Sequence, residues 1–138
     1  MSSEIRIEKR EHDEEIGAFI GEAFEAYATE NGIECNYEDF CFVAMDGDRI
    51  VGTSGMSFVE KPPYFGCPSG KIGMLSSMFT HPDYRRKGIA KELLSRVIEE
   101  ARTYGCGTVQ ITASDMGVLL YTDFGFVKNK NFMQYRIK

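Results

Sequence analysis

The chain has 138 residues, 43% hydrophobic and 27% charged, with a formal net charge of −5. That is the size and make-up of one globular domain, residues 1–138, with enough apolar material for a core. An acidic chain without basic–aromatic interleaving and without an apolar run of bilayer length points away from nucleic acid and from the membrane.

Glu4-Ile5-Arg6-Ile7-Glu8 alternates polar and apolar and predicts a short half-buried strand. His12-Asp13 then supplies a helix start, followed by Ile16, Phe19, Ile20, Ala23, Phe24 and Tyr27 along one helical face. Asn31-Gly32 stops that helix. Ile33-Glu34-Cys35-Asn36-Tyr37 gives weak support to a second helix between residues 33 and 39. Phe40 to Met45 reads as a buried strand, Asp46-Gly47-Asp48 as a hairpin turn, and Ile50 to Phe58 as the returning strand. Gly52 and Gly55 in that strand suggest a bulge or a close backbone approach. Residues 61–70 hold three prolines and two glycines, which exclude regular structure. The two aromatics there, Tyr64 and Phe65, either touch a substrate or pack the loop down.

Lys71 to Thr80 reads as the central strand and Gly88 to Tyr104 as a helix ended by Gly105. Ile89, Leu93, Leu94, Val97, Ile98 and Ala101 share one face of it. Thr108 to Ala113 alternates as a strand, Gly117 to Asp123 is a short helix, and Phe126-Val127 and Phe132 to Ile137 predict two last strands. The fold class is therefore α/β (α+β), a mixed central β-sheet flanked by helices.

Cys35, Cys41, Cys67 and Cys106 lie at irregular spacings. Only His12 and His81 could join them, and neither does so at ligand spacing, so no metal is expected. Free thiols and the absence of a basic-then-apolar leader in Met1-Ser2-Ser3-Glu4-Ile5-Arg6 lead to the expectation of a cytoplasmic protein. Cys67, in the Pro/Gly-rich loop, is expected to be the exposed thiol. Charge is unevenly spread: residues 1–48 carry 14 acids and 3 bases, residues 49–138 carry 7 acids and 13 bases. A basic region favours a polyanionic ligand. The acidic region either attracts a cationic acceptor or is a solvated face.

The most informative stretch runs from Met78 to Ala90. It combines the end of a strand, a His81-Pro82 turn, the basic run Arg85-Arg86-Lys87, Gly88 and a helix start. Helix N-termini present unpartnered N–H groups and partial positive charge, and a glycine lets an anion approach the backbone. The predicted ligand carries a pyrophosphate or a similar group. The absence of Gly-Lys-Ser/Thr and of three spaced glycines separates the stretch from a Walker loop and from a dinucleotide fingerprint.

Arg85-x-x-Gly88-x-Ala90, preceded by a strand and His-Pro, resembles the acyl-CoA pyrophosphate loop of the GNAT superfamily of N-acetyltransferases. Leu120-Tyr121-Thr122-Asp123-Phe124-Gly125-Phe126 resembles the second signature of that superfamily. The resemblance covers roughly residues 40 to 138. It implies an enzyme that moves an acetyl group from acetyl-CoA to a primary amine by direct attack through a tetrahedral intermediate. It further implies that Tyr121 protonates the leaving thiolate, and that Met78, Phe79 and Thr80 bind the pantetheine arm through main chain. Arg85, Arg86, Lys87, Gly88, Ile89, Ala90 and Lys91 would wrap the pyrophosphate. Ser114 stands where the superfamily often has an asparagine touching the CoA arm. Leu75-Ser76-Ser77-Met78 holds no carboxylate where some members place a glutamate, which leaves the base unassigned. Glu60 is the best remote carboxylate, ahead of Glu25 and His81. The acceptor is a small-molecule amine or a protein amine, and frequent dimerisation in the superfamily leaves a homodimer open. The rival reading is a non-catalytic acyl-CoA-binding or regulatory module with the same fold.

Overall fold

The computed structural model describes residues 5–11, 13–20, 40–129 and 132–137. The elements in chain order are β1 (Ile5–Arg10), α1 (Glu14–Ile20), β2 (Phe40–Asp46), β3 (Arg49–Glu60), β4 (Lys71–Thr80), α2 (Ile89–Tyr104), β5 (Thr108–Gln110) and α3 (Asp115–Phe124), with a 3-10 turn at Pro82–Tyr84. They form a five-stranded sheet in the order β1-β2-β3-β4-β5. β1 to β4 are antiparallel neighbours and β5 runs parallel to β4. The parallel step is made through α2, the kind of helical crossover that such a pair requires. This is the mixed sheet with flanking helices expected from the sequence.

β2 explains why its sequence is one apolar run. Phe40, Phe42 and Ala44 point to the face covered by α2, where they join Ile89, Leu93, Leu94, Val97 and Ala101. The alternate residues Cys41, Val43 and Met45 point to the other face and pack with Ile16 of α1. A strand covered on both faces has no solvent side to keep polar. On α2, the fully buried Leu93, Leu94 and Val97 each contribute roughly 1.5–3 kcal/mol by leaving water. Gly52 of β3 lies under this helix: a Cβ there would stand 3.0 Å from Leu93 and 3.3 Å from Ile89. Close approach is therefore what this glycine serves.

α2 ends in a Schellman motif. Gly105 is left-handed (φ 97), its N–H donates to Arg102, and the Cys106 N–H donates to Ala101. The chain then re-enters the sheet as β5.

Several expectations need correction. β5 ends at Gln110 instead of Ala113, because the chain leaves the sheet to reach the start of α3. Phe126-Val127 and residues 132–137 form no ladder among the described residues, and Val127, Phe132, Met133, Tyr135 and Ile137 are exposed. Alternation makes a strand only where an edge offers partners, and β5 offers three residues. Cys67 is buried, with its thiol donating to the Lys71 carbonyl at 3.4 Å. The loop folds back on itself through Tyr64 and Cys67, and this places the thiol inward while Phe65 is exposed. The end of the first helix beyond Ile20, the helix considered between residues 33 and 39, Cys35 and Glu25 lie outside the described residues.

Candidate acyl-CoA site

The site is built at the C-terminal end of β4. β4 and β5 pair only through Ile72↔Thr108, Gly73↔Val109 and Met74↔Gln110. β4 continues to Thr80, so the two strands part beyond Met74. Within this continuation β4 carries a bulge. The step from Gly55 to Thr53 on β3 spans Ser76 to Phe79 on β4, one residue more. Ser77 takes the left-handed conformation (φ 54) that non-glycine residues rarely adopt. Such bulges bend a strand and re-aim its groups. The fully buried Thr53 hydroxyl donates to the Ser77 carbonyl at 2.7 Å. Met78 is half-buried against the core and Phe79 is exposed.

The loop after β4 is tightly tied. The His81 N–H donates to the Val51 carbonyl at 2.8 Å, and His81 Nδ1 accepts the Asp83 N–H at 3.1 Å. His81 Nε2 lies 3.0 Å from Arg49 Nη2. The Tyr84 hydroxyl donates to Asp46 at 2.5 Å, which together with burial raises the Tyr84 pKa. The Arg49 guanidinium and the Lys87 ammonium both lie over the Tyr84 ring. Thus the β2–β3 hairpin clamps the loop, and His81 is the turn residue its sequence context suggested. None of these hairpin contacts was legible in the sequence.

Arg86 (φ 62) and Gly88 (φ 82) are both left-handed and turn the chain into α2. Gly88 is the N-cap and carries no side chain to cap the helix. The first intrahelical bond, Glu92 N–H to the Gly88 carbonyl, leaves the Ile89, Ala90 and Lys91 N–H groups ahead of it. Arg86, Lys87 and Lys91 are exposed and make no ion pair among the described residues. Arg85 behaves differently: its Nε donates to the Thr80 carbonyl at 3.1 Å, so it shapes the loop from within. The donors, the bare N-cap and the local positive charge fit a pyrophosphate.

α3 supplies the other signature. Ser114 is its N-cap and accepts the Gly117 N–H on Oγ at 3.2 Å. Its oxygen therefore has a structural task beside any ligand contact. Tyr121 is only 6% exposed, packs in the same cluster as Ile89 and Leu93, and has its pKa raised by burial. The Gly125 N–H donates to Thr122 and the Phe126 N–H to Tyr121, a second Schellman motif. Its terminal apolar contact is Phe126 on Tyr121, with ring centroids 5.5 Å apart. The spacing Tyr-x-x-x-Gly-Phe is thus a helix stop that holds the tyrosine in place.

Glu60 fares poorly as a base. It sits seven residues beyond Thr53 on β3, about 23 Å at the strand rise, and is paired in register with Lys71.

The Acetyltransferase (GNAT) family profile matches residues 6–126. The chain belongs to the GNAT acetyltransferase family. It is 34% identical over 95 residues to N-acetyltransferase 8B of Rattus norvegicus, covering 66% of this chain and 40% of that protein. It spans 31% and 58% of two further relatives, N-acetyltransferases of Streptomyces avermitilis and Bacillus subtilis, so the curated relatives are longer than the part matched. Among solved structures, a predicted acetyltransferase with acetyl-CoA from Clostridium acetobutylicum superposes with a TM-score of 0.75 at 22% identity, covering 96% of each chain. The GNAT fold of this chain extends to AAC(6')-Iy in complex with a CoA–neamine bisubstrate analogue, with a TM-score of 0.71 at 18% identity and 99% of each chain covered.

Proposed function

We propose that this GNAT domain transfers an acetyl group from acetyl-CoA to a primary amine. The carrying observation is the left-handed Arg86–Gly88 turn. It feeds the bare N-terminus of α2 just after the C-terminal stretch of β4, the part of that strand that β5 does not pair. The N–H groups of Gly88 to Lys91, with the charges of Arg86, Lys87 and Lys91, would hold the pyrophosphate, while Arg85 would keep the loop in shape. Main-chain groups of Met78, Phe79 and Thr80 would lie along the pantetheine arm, with one N–H there polarising the thioester carbonyl. The neutral amine attacks that carbonyl carbon, a tetrahedral intermediate forms, its nitrogen loses a proton to solvent, and the carbon–sulfur bond breaks. The sulfur takes a proton from Tyr121, which burial keeps as a neutral phenol. Ser114 would contact the CoA arm through its hydroxyl proton.

The acceptor we favour is a cationic small molecule. Its supports are the 14 acids among residues 1–48 and the neamine-bearing analogue on the AAC(6')-Iy neighbour. The proposal includes a cytoplasmic setting, which the free thiols of Cys67 and Cys106 support. It also includes a homodimer, supported by the exposed apolar residues Phe132, Met133, Tyr135 and Ile137. One observation favours the rival, a non-catalytic acyl-CoA-binding module: Leu75 to Met78 offers no carboxylate and Glu60 is remote.

Calorimetry with acetyl-CoA on the wild type and on an Arg86→Glu, Gly88→Asp double variant tests the cradle. Micromolar binding that the folded double variant loses supports it and opens an amine-panel screen. No binding by the folded wild type overturns the proposal.

A further inference from the structure

The bulge in β4 poses a question of direction. Ser77 is left-handed, and the Thr53 hydroxyl donates to its carbonyl at 2.7 Å. Thr53 is fully buried on β3, so the side chain has no freedom to swing to solvent. The chain has no cis peptide bond among the described residues. A trans peptide unit is planar, with its C=O and the following N–H pointing in opposite directions. Capture of the Ser77 carbonyl on the β3 side therefore aims the Met78 N–H away from β3. That is the side on which β4 has parted from β5.

We infer that Thr53 is a positioning residue for acetyl transfer, its hydroxyl fixing the Ser77–Met78 peptide plane so that the Met78 N–H meets the thioester carbonyl oxygen. This rests on the proposed function, in which a backbone N–H of this stretch polarises that carbonyl. A donor aimed in advance costs no reorganisation when charge develops on the oxygen. A peptide plane without a fixed carbonyl can rotate about the two flanking torsions and turn the donor away. Ser77 needs such help because the left-handed region disfavours a residue with a Cβ. Thr53 touches neither ligand nor reacting atoms in this scheme; it acts through the main chain of β4. Position 53 needs a hydroxyl for this purpose, and a methyl of equal size would fill the space without orienting anything.

The test uses the Met78 amide resonance of the labelled full chain, compared in its complexes with acetyl-CoA and with free CoA. Free CoA fills the same cradle and lacks the thioester carbonyl. The expected result for the wild type is a downfield shift of the Met78 amide proton that only acetyl-CoA produces. Thr53→Val should lose that shift while its affinities for both ligands stay within about twofold of wild type, since the pyrophosphate cradle is untouched. Thr53→Ser, which keeps the hydroxyl, should restore the shift. If Thr53→Val does not fold, Thr53→Cys, with its weak donor, should show a reduced shift. A Thr53→Val protein that keeps the full shift overturns the role of Thr53. A wild type that binds acetyl-CoA without any acetyl-specific shift at Met78 overturns the inference while leaving the proposed function standing. A wild type that does not bind acetyl-CoA removes the proposed function and the inference with it.

Discussion

Tyr121 is held by three separate causes. The helix period turns it inward, the Schellman stop at Gly125 ends the helix one turn later, and Phe126 closes over its ring. Burial disfavours the phenolate, so its pKa lies above the ordinary value of 10.0. The proton proposed for the thiolate is therefore present at every physiological pH. Tyr121→Phe should lower kcat by about 10²–10⁴-fold while acetyl-CoA affinity is kept, measured by steady-state kinetics beside calorimetry. The sign of the pH effect follows from the raised value. Stability tied to the neutral phenol is complete below pH 10.0 and declines as pH rises toward the folded value. Any loss of wild-type activity that belongs to Tyr121 should therefore appear only above about pH 10, read from a kcat–pH profile. The tyrosine and its glycine partner were legible in the sequence through their spacing. Thr53 was not, because nothing in Gly52-Thr53-Ser54 marks which carbonyl its hydroxyl will meet 24 residues later.

At the scale of elements, legibility followed the source of the stabilisation. α2 declares itself, since its apolar residues recur at the helical period and its two ends are glycines. β2 and β3 declare themselves through a two-residue turn between an apolar run and its return. The loop joining β3 to β4 was legible only as irregular. Its closure depends on Gly70, which is left-handed (φ 71), and a Cβ there would fall 2.1 Å from the Lys61 carbonyl oxygen. Gly70→Ala should destabilise the fold by about 2–4 kcal/mol, measured by urea unfolding. Acetyl-CoA affinity of the folded fraction should be unchanged, because this loop leads into Lys71, the end of β4 opposite the cradle. The two C-terminal strands expected at Phe126-Val127 and Phe132 to Ile137 form no ladder among the described residues for a related reason. A strand is defined by its partner, and β5 is too short an edge to supply one along residues 126–129 and 132–137.

Across the whole molecule, charge and topology act together. The sheet carries the basic loop to the end of β4, where Arg86, Lys87 and Lys91 stand exposed. Part of the affinity for a phosphorylated cofactor should then be screened by salt. The dissociation constant of acetyl-CoA should rise several-fold between low and physiological ionic strength in a calorimetric salt series. S-acetylpantetheine, which has no phosphate, should show no such rise. The same topology explains the candidate site. The parallel pair β4–β5 is short, so β4 beyond Met74 has no ladder partner on the β5 side. By itself the sequence determined α2, α3, the β2–β3 hairpin, the glycine-bearing basic turn before α2 and the Tyr-x-x-x-Gly-Phe helix stop, because each is written in residues close along the chain. Only the tertiary structure decided the bulge at Ser77, the clamp of the β2–β3 hairpin on Tyr84, the inward turn of Cys67 and the exposure of Val127, Phe132 and Tyr135. Those depend on which groups meet across strands far apart in sequence, and no local pattern encodes that meeting.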